Sequence, residues 1–305
     1  MTGIRLGVVV NPTAGHGRGG HRGSQLFGHL TRRGHTIVDL SSDDLAGASR
    51  QARGAVVDGL DALVVVGGDG MTHLGVNLVA ETELPLGIVA AGSGNDVARS
   101  LGLPRHDIAE AVRTIEGGLE TGGRRIDAVR TSSPDFSAVV WYLGVLVAGL
   151  DARVNALANT MSWPRGSARY LRATLQELPR FRPYGYRITL DGETWETPAT
   201  VVSVCNGRHI GGGMVIAPEA DMTDGLLDVV IAGPLGRWAA AGIFPSIYRG
   251  AHVNNPAVSV IRTRSVLIEP SDVGPHPPPA HADGELVGQL PLRIEVVPGA
   301  VRLLA

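Results

Sequence analysis

The stretch Gly67-Gly68-Asp69-Gly70 constrains this chain most. The apolar run Ala62-Leu63-Val64-Val65-Val66 leads into it, and a helix-like stretch, Thr72 to Ala80, follows. Strand, glycines around one carboxylate, then helix is the layout of a phosphate cradle. Glycine lets the backbone turn sharply and lets a ligand come close. The N–H groups that open the next helix favour an anion. The carboxylate of Asp69 would repel phosphate, which points to a metal ion or ordered water between them. On these four residues alone a tight turn capped by Asp69 accounts for the pattern equally well.

The turn does not stand alone. Ile4 to Val10 and Thr36 to Leu40 read as strands. Leu26, Phe27 and Leu30 space as one face of a helix, and Ala46 to Val57 reads as another. Pro85 to Ala91 forms a further strand that ends in a second glycine turn, Ala91-Gly92-Ser93-Gly94-Asn95-Asp96. Helical segments follow, around Val97 to Leu101 and around Ile108 to Ile115. Strands alternating with helices predict a parallel α/β sheet. Ligands bind such sheets beyond the carboxyl ends of the strands. Three glycine-rich turns fall at those ends, the first being Asn11-Pro12-Thr13-Ala14-Gly15-His16-Gly17-Arg18-Gly19-Gly20.

Near Arg125 the texture changes, and the segment near Arg124 reads as a hinge. Strand-like runs now dominate: Ile126 to Arg130, Ala138 to Val147, Tyr186 to Leu190, Thr200 to Cys205, Leu226 to Ala232, Val266 to Glu269 and Leu292 to Val297. Asp191-Gly192 between alternating runs is a hairpin signal. One helix interrupts, with Ala168, Leu171, Leu175 and Leu178 on its apolar face. The expected organisation is residues 1–125 as a nucleotide-binding α/β domain and 126–305 as a β-rich domain for the substrate, with the last residues free to return to the first.

At 305 residues the chain has room for two domains, and 44% hydrophobic with 18% charged residues is a globular profile. A formal net charge of -2 excludes a global basic field for nucleic acid or an anionic membrane, and leaves room for a local basic patch. The chain has no lysine, so phosphate contacts must come from arginine, backbone N–H groups or a metal. Cys205 is the only cysteine, which rules out an internal disulfide or a cysteine zinc cluster, and its apolar surroundings make it core. The N-terminus carries no signal-peptide core and no apolar run is long enough to span a bilayer, so the expected location is the cytoplasm.

The first loop also fits G-x-G-x-x-G, and Asp39 falls about where a ribose-binding acid belongs. A glycine-rich chain matches that pattern easily, and Asn11-Pro12 sits where the tight dinucleotide turn would begin. Other motifs lead elsewhere. Asn11-Pro12 with Gly15, Gly17 and Arg18 resembles the opening motif of the diacylglycerol kinase and sphingosine kinase catalytic domains. Gly67-Gly68-Asp69-Gly70 is similar to their GGDG signature, and Gly92 to Gly102 resembles their G-T-x-N-D-x-A-R-x-L-G segment. Asn206-Gly207, Gly211-Gly212-Gly213, Ala217-Pro218 and Asp224-Gly225-Leu226-Leu227-Asp228 follow the pattern of their C-terminal domain. Asp283-Gly284-Glu285 matches the D-G-E near the family's end. The bacterial soluble lipid kinases are the nearest likeness.

The resemblance implies an α/β domain like that of the NAD kinases and phosphofructokinases, and a β-sandwich domain with a lipid cleft. It implies ATP and Mg²⁺, and most simply the conversion of diacylglycerol to phosphatidate. Asp69 would organise the magnesium and water shell, and Glu285 would be the general base. Asn11, Pro12, Arg18, Ser42, Gly67, Gly68, Asp69, Gly70, Ser93, Gly94 and Asn95 would contact the nucleotide. Asp221, Asp224 and the Leu226 carbonyl would hold a structural metal. Phosphoryl transfer needs positioning, charge neutralisation and a proton acceptor, which these groups would supply. Met71, His73 and Leu74 depart from the usual Thr, Asn and Glu, and His16 stands for a frequent lysine.

The rivals are a NAD kinase, which shares the GGDG logic, and a non-catalytic regulator that binds nucleotide or lipid. Arg165, Arg169 and Arg172, with Arg180, Arg182, Trp163 and Phe181, form a basic patch suited to peripheral membrane contact, or else an ordinary solvated helix face. The sequence leaves room for a homodimer. Asp127 is expected at the domain junction, or in a salt bridge with Arg124 or Arg125.

Overall fold

A computed structural model describes residues 3–11, 19–42, 44–133, 138–164, 167–177 and 181–305. The chain forms two compact units. The first comprises Met1–Ala128 with Gly299–Ala305, and the second Val129–Pro298.

In the first unit, β1 (Arg5–Val10), β2 (Thr36–Asp39), β3 (Ala62–Gly67) and β4 (Leu86–Ala90) pair in parallel in the order β2-β1-β3-β4. The register is fixed by pairs such as Val8 with Val64 and Val65 with Ile88. β3 and β4 are buried along their whole length, as expected of strands with helices on both faces. The intervening helices are α1 (Gly19–Arg32), α2 (Leu45–Val57), α3 (Asp69–Val79), α4 (Asp96–Ser100) and α5 (Ile108–Thr121). Leu26 and Leu30 of α1 and Ile115 of α5 are buried in one core cluster with Leu6, Val64 and Val89. Asp44 and Asp107 cap α2 and α5 by accepting backbone N–H bonds from Gly47 and Glu110. Segment 299–305 completes the unit: Leu303 lies parallel to Leu86, and the Leu304 amide donates to the Leu86 carbonyl at 2.9 Å.

Asp127 accepts a bond from the Gly299 amide at 2.8 Å. Nearby, Arg125 pairs with Glu83 at 2.7 Å, and Arg124 donates to the Leu101 carbonyl at 2.8 Å.

The second unit is a β-sandwich. One sheet includes β5 (Arg124–Ser132), β6 (Val139–Tyr142), β8 (Tyr184–Leu190), β9 (Glu193–Ala199), β15 (Ser265–Pro270) and β18 (Leu292–Leu303), and β5 and β18 are also the strands that enter from the first unit. The other runs β14 (Val258–Thr263), β13 (Leu227–Ala232), β10 (Val201–Cys205), β7 (Val145–Gly149), β16 (Ala280–Ala282) and β17 (Glu285–Gly288). The short strands β11 (His209–Ile210) and β12 (Met214–Val215) form a separate pair. Inward residues of both sheets, among them Tyr142, Leu146, Tyr186, Val202, Val229 and Ile268, share one buried core. Asp191 and Gly192 both have positive φ, 50° and 88°, as a type I′ hairpin between β8 and β9 requires.

Two expectations need correction. The run Ala138 to Val147 is two strands, β6 and β7, broken at Leu143-Gly144. The helix expected to bury Ala168, Leu171 and Leu175 turns that face outward. Here α6 (Leu150–Thr160) packs against α7 (Ser167–Glu177), and the buried positions of α7 are Ala173 and Thr174. Small residues there let α7 approach Leu150, Val154 and Ala158 closely, so Leu171 stays 44% and Leu175 62% exposed. Leu178 lies outside the described residues. The remaining helix, α8 (Arg237–Ile247), follows β13.

Candidate active site

The two glycine turns of the first unit touch. A Cβ on Gly92 would collide with the Gly68 backbone, and one on Gly68 would lie 3.3 Å from the Gly92 Cα. Only glycine permits this approach. The Ala91 and Gly92 amides donate to the Gly67 carbonyl at 2.8 and 3.0 Å, which locks the turn after β4 onto the turn after β3. Asn11 joins them: its amide donates to the Val66 carbonyl, and its Cβ lies 3.6 Å from where a Gly67 Cβ would be. Gly67, Gly68, Gly92, Ser93 and Gly94 therefore meet beyond the ends of β3 and β4.

The helix after the first turn begins at Asp69, three residues before the expected Thr72. Gly68 is its N-cap, so Asp69 and Gly70 occupy its first turn, where backbone N–H groups point outward. Asp69 Oδ1 accepts the Val97 amide of α4 at 3.2 Å. Its Oδ2 lies 2.9 Å from where a Gly94 Cβ would be, so Gly94 leaves room for that oxygen. Asn95 supports the turn from beneath. It is 2% exposed with φ 56°, accepts the Gly92 amide at 2.9 Å, and donates to the Gly92 carbonyl at 2.8 Å. Ser93 stands exposed at the turn's tip. Ser42 lies half-buried between β2 and α2. Pro12 and Arg18 lie outside the described residues.

One departure from the family pattern acquires a local explanation. Met71 is 3% exposed and packs against Gly67, so its side chain fills the base of the turn. Leu74 is 6% exposed, and His73 is half-buried.

Arg22 was missed by sequence reasoning. Its Nη1 donates to the Ala91 carbonyl at 2.8 Å, beside the second glycine turn. Partial burial, then the charges of Arg22, Arg105 and Arg99, hold the His106 imidazole below its ordinary pKa. Positive charge thus converges next to the second glycine turn. In a chain without lysine, an arginine one turn into the helix after a glycine-rich loop was the available signal.

In the second unit the Asp283-Gly284-Glu285 segment is a tight turn joining β16 to β17, with φ 50° at Asp283 and 91° at Gly284. The Asp283 carboxylate accepts the amides of Leu143 at 2.9 Å, Gly144 at 3.0 Å and Val145 at 3.0 Å. These bonds fill the break between β6 and β7. Asn155 and Asn159 of α6 donate to the Gly284 carbonyl at 3.1 and 2.9 Å. Glu285 follows directly, half-buried at the start of β17.

A second acid of this unit escaped sequence reasoning. Asp151 accepts from the Ser203 hydroxyl at 2.8 Å and the Ala152 amide at 2.9 Å. Burial pushes its pKa up to about 7, against the lowering effect of those bonds. Cys205 is fully buried and burial pushes its thiol pKa up, which agrees with a core role.

The expected metal residues lie in the turn before β13. Asp221 Oδ1 accepts the Thr223 amide at 3.0 Å, and Asp224 Oδ1 accepts the Leu226 amide at 2.9 Å. The other Asp224 oxygen pairs with Arg262. No group of three metal-ligating side chains occurs among the described residues. The guanidinium of Arg262 already supplies positive charge to Asp224, so this donor set does not stand ready for a cation.

Two opposed glycine turns above a parallel sheet, joined to a β-sandwich that carries a braced acid, define a two-domain phosphotransferase. Comparison with known proteins makes this specific. Residues 5–130 match the diacylglycerol kinase catalytic domain, and residues 144–305 match the YegS C-terminal NAD kinase beta sandwich-like domain. The chain is 37% identical to a diacylglycerol kinase of Mycobacterium tuberculosis, over 98% of this chain and 94% of that protein. It is 25% identical to a diacylglycerol kinase of Bacillus subtilis, over 94% and 91%. A crystal structure of a diacylglycerol kinase from Bacillus anthracis shares the fold with a TM-score of 0.71 at 20% identity, covering 99% of this chain and 96% of that one. The chain belongs to the bacterial diacylglycerol kinase and YegS-like lipid kinase family. It is a lipid kinase, and its family implies ATP as the phosphate donor.

Proposed function

We propose that the chain phosphorylates diacylglycerol to phosphatidate. The observation that carries this reading is the Asp283-braced turn, which fixes a carboxylate, Glu285, at the start of a strand. In the proposed reaction Glu285 takes the proton of the lipid hydroxyl. The hydroxyl oxygen bonds to the γ-phosphorus, the bond from that phosphorus to the β–γ bridging oxygen breaks, and ADP leaves. The first unit binds ATP through the backbone N–H groups of Gly68, Asp69 and Gly70, and through Ser93 and Gly94. Asn11, Pro12, Arg18, Ser42 and Gly67 complete that set, and Asn95 holds the turn in shape. Arg22 adds charge at the phosphates.

A magnesium ion, when bound, neutralises phosphate charge, and Asp69 is the residue proposed to order its water shell. A cation at Asp221, Asp224 and Leu226 would have to displace Arg262 from Asp224. The second unit receives the lipid. The enzyme works as a peripheral protein at the cytoplasmic face of the membrane. No helix among the described residues is long and apolar enough to cross a bilayer.

The test is transfer of label from [γ-³²P]ATP to a panel of lipids and to NAD. Label in phosphatidate supports the reading. Label in another lipid phosphate alone, or in NADP, overturns the diacylglycerol assignment, and no transfer to any acceptor overturns the proposed activity.

A further inference from the structure

The peripheral contact proposed above has a definite place on the second unit. Alternate residues of β10 point to opposite faces. Val202 and Val204 enter the sandwich core, while Cys205 joins a second cluster with Val145, Val147 and Val230 on the outer face. Ala152 of α6 belongs to that outer cluster, and Ile247 of α8 packs against it. Ala173 of α7 packs on α6. All three helices therefore lie on the outer side of the second sheet.

The outward surface of these helices carries large apolar side chains among its polar ones. Trp238, at the start of α8, is 84% exposed, Trp163 is 69% and Leu175 is 62%. No described side chain of α8 is fully buried, although the helix reads Arg-Trp-Ala-Ala-Ala-Gly-Ile-Phe-Pro-Ser-Ile.

Charge says what covers it. The chain as a whole carries -2, yet no acidic residue occurs between Ala152 and Gln176 or between Val229 and Ile268. Arg169, Arg172, Arg237 and Arg249 lie in those two segments. Arg172 stacks over Trp163, 5.5 Å from the ring centroid, and donates to the Trp163 carbonyl at 2.6 Å. Exposed indole rings with guanidinium groups nearby complement the headgroup zone of an anionic bilayer. A second copy of the chain complements it poorly, because a two-fold contact would set arginines against arginines.

We propose that the α6–α7–α8 surface docks on an anionic phospholipid bilayer, with Trp238 as its leading side chain. This rests on the proposed peripheral action of the kinase and names the surface that performs it.

The experiment uses the full chain and its Trp238→Glu variant, with phosphatidylcholine vesicles prepared with and without phosphatidylglycerol. Vesicle binding is read by co-sedimentation, self-association by sedimentation velocity, and activity by turnover of a short-chain dispersed diacylglycerol. The chain should bind the anionic vesicles, and added salt should weaken binding. Trp238→Glu should weaken it about tenfold or more, with turnover of the dispersed substrate unchanged. Leu175→Glu serves as a second variant on α7, with the same expectation.

Equal binding by both variants, absence of binding by the unmodified chain, or loss of a dimer with vesicle binding intact would each overturn the proposal. Vesicle binding without label transfer to any lipid would sink the kinase reading and leave the docking surface standing. Turnover of dispersed substrate without vesicle binding would do the reverse.

Discussion

The carboxylate of Asp283 accepts the Gly144 amide at 3.0 Å, binding the turn between β16 and β17 to the break between β6 and β7. The same carboxylate takes the Leu143 and Val145 amides, so one side chain satisfies three backbone donors of a distant segment. An ionised acceptor makes such bonds stronger than neutral ones. Asp283→Ala should cost about 3 kcal/mol or more of stability, because three part-buried N–H groups lose their acceptor. Denaturant unfolding measures this. Asp283→Asn should recover part of the loss, since an amide oxygen still accepts.

Glu285→Gln tests the proton acceptor. It should lower kcat by about 10²- to 10⁴-fold while the affinity for ATP stays within a factor of about two. Single-turnover kinetics with isothermal ATP titration separates the two quantities. Loss of ATP binding as well would remove Glu285 from the assigned role.

Asn159 and Asn155 hold the Gly284 carbonyl, one residue before the proposed base. Asn159→Ala should lower kcat about tenfold through misplacement of Glu285, with KM for ATP unchanged. Asn159→Gln, which keeps a donor amide, should restore part of the rate. A purely structural role would move the unfolding midpoint and leave kcat where it was.

Gly92→Ala should abolish nucleotide binding, because its methyl group would strike the Gly68 backbone. Backbone cannot move aside as a flexible side chain can. The expected cost is about 1–3 kcal/mol of stability. ATP titration and thermal unfolding together check it.

Asp151 sets a pH dependence. Its carboxyl moves from 3.8 in the unfolded chain to about 7 in the folded one, chiefly through burial. Between those values the folded state holds more protons, so this group's contribution to stability falls as pH rises from about 4 to about 7 and is level above that. Asp151→Asn should flatten that part of the profile and, above pH 7, raise stability relative to the parent. Urea midpoints measured across the range give the answer.

The alternation of apolar runs and glycine turns made the parallel sheet legible, because buried strands and their turns leave strong local patterns. GGDG was legible as a strand-to-helix turn for the same reason. The contact between Gly68 and Gly92 was not, since it depends on which strands become neighbours. The α7 face was misread because period alone selected Leu171 and Leu175. Packing instead chose Ala173 and Thr174, whose small size permits a close approach to α6. Asp151 was invisible because its environment is assembled from β10 and α6. The break in Ala138 to Val147 is bridged by Asp283, at a sequence separation of 139 from Gly144.

The chain leaves its first unit after Ala128 and re-enters it at Gly299. During synthesis the segment that flanks β4 is therefore made only after the whole sandwich has been made. Until then the edge of β4 at Leu86 lacks its neighbour, and the place of Leu304 in the core stays empty. An unpaired, apolar strand edge invites association with other chains. The order of biosynthesis thus favours the inserted unit as the first to mature, and makes the nascent first unit the one in need of chaperone protection.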